Sequence, residues 1–159
     1  RAATPHESFD STFYNHFPSR QSLLDALLPE LGLDMARWIE ERTRTIRPEA
    51  AREIARFRSF FDFLGENPGF LRILNEAEFA APRAYKQHIA NIAAPYRRML
   101  ARARDKGEVG GFSDAELEVV VHTLLGARSY LSQMFSGSAP VDEAVFSAYA
   151  KLLERGLFR

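Results

Sequence analysis

The sequence predicts an all-α protein, and three observations carry that prediction. Apolar residues recur at spacings of three and four along most of the chain, and no stretch alternates with period two. Proline, glycine and capping residues divide this pattern at helix-length intervals. Apolar residues make up 46% of the 159, so the helices can bury a real core.

Residues 1–8 carry no clear pattern. A short polar and aromatic segment, Phe9 to Phe17, follows and is ended by Pro18, because the residue before a proline is pushed out of helical geometry. Ser19 caps a long helix with Leu24, Leu28, Leu31, Met35, Trp38 or Ile39, and Ile46 in one stripe. Pro29 lies inside that stripe and is expected to kink it, at roughly 3 kcal/mol if nothing compensates; Gly32 is expected to loosen the same turn. Pro48 fits the first position of the next helix, which carries Ile54, Phe57, Phe60, Phe61 and Leu64 and stops at Gly65. After the Asn67-Pro68-Gly69 turn comes a short helix, Phe70 to Phe79. Ala81-Pro82 opens another, with Tyr85, His88, Ile89, Ile92, Tyr96, Met99 and Leu100 on one face, and Lys106-Gly107 ends it. Ser113 and Glu116 form a capping box for a helix apolar at Leu117, Val121, Leu124, Leu125, Leu131 and Met134. Residues 136–140 form a turn, and a last helix carries Val141, Val145, Tyr149, Leu152, Leu153 and Leu157.

Composition narrows the function. The chain has no cysteine, which excludes a disulfide framework and thiolate chemistry. No apolar run reaches the ~18 residues of a membrane span and no signal-peptide pattern opens the chain, so a soluble, cytoplasmic protein without membrane contact is expected. The formal net charge is zero; any nucleic-acid contact must therefore come from local features rather than bulk charge. Glu76 and Glu78 are two apart and point to different sides of a helix, His88 and His122 lack metal-type spacing to a further ligand, and no phosphate loop or nucleophile elbow is present. An enzyme is not expected, nor a cofactor or a metal.

The segment Ser11-Thr12-Phe13-Tyr14-Asn15-His16-Phe17-Pro18-Ser19-Arg20, with Leu23 and Leu24, has the composition of a groove-reading helix: short hydroxyls and amides on one side, Phe13 and Phe17 on the other. An aromatic-rich capped helix with no such role has the same composition. The segment resembles the recognition helix, and the start of the helix after it, of tetracycline-repressor (TetR) family regulators. Glu66-Asn67-Pro68-Gly69-Phe70 and Glu76-Ala77-Glu78-Phe79, within Phe57 to Leu100, also look like that family's C-terminal domain, so the resemblance spans most of the chain. It implies a partial helix-turn-helix over 1–18, continuing into a linking helix over 19–46, and a ligand-binding, dimer-forming bundle over 47–159. Family members have two helices before the recognition helix, whereas eight residues precede Phe9 here; a stretch is expected to be absent between Glu7 and Ser8, leaving the head incomplete.

Ser11, Thr12, Tyr14 and Asn15 suit the outer, DNA-facing side; by that resemblance Thr12 and Tyr14 would meet double-stranded operator DNA, His16 would lie at its edge, and Arg20 would meet a phosphate. A small-molecule effector would lie among Phe57, Phe60, Phe61, Phe70, Phe79, Tyr85, Ile92 and Tyr96, with Glu76, His88, Asn91, His122 and Arg128 as polar groups. Any single phenylalanine fits an ordinary core equally well; the cluster fits an aromatic-walled small-ligand site. His88 is either satisfied by a neighbour or turned to a ligand. Arg128 is placed to pair with an anionic ligand or with a glutamate across an interface. Leu124, Gly126, Ala127, Leu131, Val145, Tyr149 and Leu152 would form a homodimer interface, unless the last two helices pack only on their own chain. The function implied is a ligand-responsive transcriptional repressor released from its operator by a small apolar or aromatic effector. The alternative is a small-molecule-binding or protein-interaction module without DNA binding.

Overall fold

The computed structural model describes residues 17–136 and 140–158, and these build six helices with no strand among them. They are α1 (Arg20–Thr43), α2 (Glu49–Glu66), α3 (Phe70–Ala80), α4 (Pro82–Asp105), α5 (Asp114–Phe135) and α6 (Glu143–Gly156). The recognition-like positions Ser11, Thr12, Tyr14, Asn15 and His16, and the junction of Glu7 with Ser8, lie outside the described residues.

Local chemistry sets the helix starts. The Ser19 hydroxyl accepts from the Ser22 amide at 3.1 Å and the Ser22 hydroxyl accepts from the Ser19 amide at 3.1 Å, so α1 opens with a capping box. Ser113 and Glu116 form the expected second box on α5. Pro82 occupies the first turn of α4, where its missing N–H costs nothing. Gly107 takes a left-handed φ of 79° just beyond that helix, the usual device for ending one. Pro48 differs from expectation: it precedes α2 as its cap, after a cis Arg47–Pro48 bond, and the helix begins at Glu49. With no capping side chain of its own, α2 is capped by a distant one. The Glu49 amide donates to Glu108 Oε2 at 2.9 Å, from the loop after α4.

α1 runs without a break from Arg20 to Thr43, through Pro29. It packs on α2, α3 and α4; α4 packs on α3 and α5, and α2 on α5 and α6. Leu24, Leu28, Met35 and Ile39 of α1 belong to the same core as Phe57, Phe60, Phe70, Leu100 and Leu117, so α1 is docked along most of its length. Gly32 has a different role from the loosening expected of it. It is the point where α1 meets α4, and a Cβ there would lie 2.5 Å from His88 Nδ1.

The aromatic residues sort into two groups. Phe57 stacks on Tyr149 at 3.7 Å between centroids, and Phe61 meets Phe146 edge-on at 5.4 Å. This cluster joins α2 to α6 and is plain core. The second group, with Phe60, Phe70, Tyr85 and Tyr96, lies on the other side of α2 and borders open space.

Candidate functional site: a cavity walled by five helices

A cavity of about 800 Å³ lies among α1 to α5. It is within the range of small-ligand sites. Helix periodicity assembles it: Tyr85, His88, Ile92, Tyr96 and Met99 of α4, three or four residues apart, line one wall, and Phe60, Phe70 and Leu74 close the apolar end. Met35, Ala36 and Ile39 of α1 add another wall, so the helix that follows the Thr12-Phe13-Tyr14 segment borders the cavity directly.

Eight of the residues singled out from the sequence line this space: Phe60, Phe70, Tyr85, His88, Ile92, Tyr96, His122 and Arg128. Four do not. Phe57 and Phe61 are buried in the α2–α6 cluster, Phe79 is 84% exposed, and Glu76 is paired with Arg20. Asn91 is on the surface, accepting from Gln87 at 2.8 Å. His122 is also exposed at its tip, 3.3 Å from Glu118. The Arg20–Glu76 pair ties the first residue of α1 to α3, and that guanidinium holds the Glu76 carboxyl below its usual range.

The polar end of the cavity rests on a carboxylate that carried no weight in the sequence reading. Glu53 is 0% exposed. Its Oε1 accepts from Arg128 Nη2 at 2.5 Å and from the Tyr149 hydroxyl at 2.9 Å, and its Oε2 lies 3.8 Å from Arg56 Nη1. The same Arg56 nitrogen donates to Glu49 Oε1 at 2.5 Å, and Arg128 Nη2 also donates to the Tyr96 hydroxyl at 3.0 Å. An unpaired carboxylate at that depth would be prohibitive, so both arginines are drawn inward. Burial is the largest influence on Arg128 and acts to lower its pKa, but the Glu53 charge, Tyr96, Tyr149 and the hydrogen bond to Glu53 together outweigh it, and the net shift is upward. Burial raises both Tyr96 and Tyr149, with the Glu53 charge adding to it, so both phenols keep their protons. Arg128 thus pairs with a glutamate of its own chain. The signal for Glu53 and Arg56 was present in the sequence: they precede Phe57 and Phe60, respectively, by one helical turn.

His88 is 3% exposed and lines the apolar end, 6.5 Å from Phe70 between ring centroids. Burial holds its pKa below the usual value. Among the described residues it makes no hydrogen bond, and its Nδ1 edge packs against Gly32 of α1.

Six of the seven residues expected at a dimer interface come together on the α5 and α6 side of the chain. Leu124, Ala127, Leu131, Val145, Tyr149 and Leu152 line a second, apolar groove of about 510 Å³ between α5 and α6. Tyr149 and Leu124 are buried within the chain, whereas Leu152 is 73% exposed. Gly126 borders the ligand-sized cavity instead. Val119, Tyr130, Met134 and Phe135 add large exposed apolar surface on α5.

An all-helical body with a walled cavity and a bare apolar pair of helices has counterparts of known structure, and its fold is that of TetR-type regulators. A protein from Syntrophomonas wolfei str. Goettingen assigned to the TetR family of transcriptional regulators matches with a TM-score of 0.72 and 19% identity, over 92% of this chain and 78% of its own. One from Shewanella sp. PV-4, assigned to the same family, matches at 0.65 and 15%, over 94% and 80%. A protein of unknown function from Rhodococcus sp. RHA1 matches at 0.62 and 22%, over 91% and 76%. No protein-family model and no curated protein sequence matches the chain. Among the described residues, no helix is long and apolar enough to cross a membrane.

Proposed function

We propose that the protein is a homodimeric, ligand-controlled transcriptional repressor. Residues 1–18 and the start of α1 serve as the DNA-contacting head, and residues 47–159 as the effector-binding and dimerisation body. One observation carries this reading: α1, which directly follows the Thr-Phe-Tyr segment, is itself a wall of the cavity. A ligand that repositions α1 therefore moves whatever α1 carries. Two heads of a dimer must stand about 34 Å apart to enter successive major grooves, and a ligand favouring another spacing releases the DNA. The linkage expected between effector and operator is on the order of 1–3 kcal/mol. The exposed apolar faces of α5 and α6 would be covered by the same helices of the second subunit, as a twofold interface requires. Nothing in this function calls for catalysis or a cofactor, and it belongs in the cytoplasm.

A mobility-shift assay with the protein's own upstream DNA tests the reading. Retardation by the wild-type protein is expected, as is retardation by an Ile92→Trp variant whose cavity is filled. Effector should relieve the first and leave the second. Absence of retardation even at low salt returns the protein to a ligand-binding module without DNA contact, the reading that its zero net charge favours.

A further inference from the structure

We infer that the cavity takes an amphipathic organic anion, with its carboxylate at the Arg56–Arg128 end and its apolar body against Phe70, Leu74, Tyr85 and Ile92. This rests on the ligand-binding reading above and names the chemistry of that ligand.

The two ends of the cavity differ sharply. The far end is built from Phe60, Phe70, Leu71, Leu74 and Ile92. The near end is lined by four guanidiniums, of Arg52, Arg56, Arg102 and Arg128, and by a single carboxylate, Glu40. Glu40 is engaged with Arg52 at 2.7 Å. Glu49 and Glu53 stand behind Arg56 and Arg128. That leaves Arg102 unmatched, and the adjoining hollow adds Arg47 and Lys106 against Glu108.

Arg56 and Arg128 are 8% and 9% exposed, yet each spends only one guanidinium nitrogen on the protein. Arg56 uses Nη1 for Glu49 and Glu53; Arg128 uses Nη2 for Glu53 and Tyr96. Among the described residues the other terminal nitrogen of each has no acceptor. The Nε groups of Arg52 and Arg128 are buried without one, and the acceptor left over beside them is Glu53 Oε2 alone, 3.8 Å from Arg56 Nη1. Donors therefore exceed acceptors where two planar forks border the cavity. A carboxylate is the group that matches such forks in charge and in spacing. A neutral hydroxyl satisfies at most part of this set, and an ammonium group is repelled by it. The glutamates behind the arginines fix the forks in place rather than saturate them, since Arg56 reaches Glu49 and Glu53, and Arg128 reaches Glu53, through one nitrogen each.

A series with one tail and three heads tests this by calorimetric titration of the full chain: decanoate, 1-decanol and decylammonium, each below its micelle-forming concentration. Decanoate should bind about tenfold or more tighter than 1-decanol, the increment of a charge-assisted over a neutral contact, and decylammonium should bind weakest. Arg56→Gln should remove most of the decanoate preference while leaving 1-decanol affinity within about twofold, because the apolar end is untouched. Equal affinity for decanoate and 1-decanol overturns the anion assignment and leaves the ligand cavity standing. Tighter binding of decylammonium overturns it outright. Absence of binding by all three overturns both this inference and the ligand-binding reading. The head-group comparison on the wild-type chain remains decisive if the Arg56 variant fails to fold.

Discussion

Glu53 shows how one buried charge organises its surroundings. It is fully enclosed, holds Arg128 and Tyr149 by hydrogen bonds, and stands near Arg56. Removing one partner of a buried pair leaves the other uncompensated, so Glu53→Ala should cost about 3–5 kcal/mol, read as a lowered urea midpoint. Glu143→Gln, which breaks the surface pair with Arg58, should leave that midpoint where it is. A midpoint for Glu53→Ala within error of wild type would contradict the network. His88 makes the corresponding prediction in pH. Its folded pKa is depressed by burial, so the unfolded chain takes up its proton first. Stability contributed by the neutral ring is complete above the unfolded value of 6.5 and is lost as pH falls below it. His88→Gln should flatten the stability profile between pH 7 and 5 relative to wild type, as followed by thermal melting.

At the scale of elements, the contact between α1 and α4 is set by Gly32 and His88. A methyl group at Gly32 would meet the His88 ring at 2.5 and 2.7 Å, and the ring is buried, so relief must come from pushing it toward the cavity. Gly32→Ala should therefore destabilise by about 1–3 kcal/mol, as overpacking does. It should also lower decanoate affinity, and Gly32→Ala combined with His88→Ala should cost less than the sum of the two single changes. The opposite end of α1 is held to α3 by Arg20 and Glu76. Because Arg20 is the residue that resemblance assigns to a phosphate, Glu76→Gln should strengthen DNA binding and steepen its salt dependence, while melting temperature stays unchanged. The elements themselves were largely readable from the sequence. Capping serines, Pro82 and Gly107 act through their immediate neighbours, and such signals survive without tertiary context. What was not readable depends on which helices meet. Phe57 and Phe60 are three apart and equally apolar, yet one faces α6 and the other the cavity. The cap of α2 comes from Glu108, far along the chain. Pro48 is a good first-turn residue by rule but sits before the helix.

For the whole molecule, the bare apolar surface of α5 and α6 has to be accounted for. Leu152, Tyr130 and Val119 are 73%, 63% and 66% exposed in the single chain, more large apolar surface than an isolated subunit ordinarily leaves to water. Leu152→Asp should convert a dimer to a monomer in sedimentation velocity and abolish DNA retardation at the same concentration. A dimer unaffected by that change would move the interface elsewhere on the chain. The central claim is that a ligand in the cavity alters the spacing of two heads through α1. The chain has no cysteine, so a spin label placed by Gln21→Cys, on the exposed side at the start of α1, reports on that spacing alone. Pulsed electron resonance on the labelled dimer is then recorded with and without decanoate at a concentration that saturates the cavity. The account predicts a single intersubunit distance that shifts by several ångströms, on the order of a helical turn or less, when the ligand is added. A distance distribution that is the same with the cavity filled and empty would contradict it.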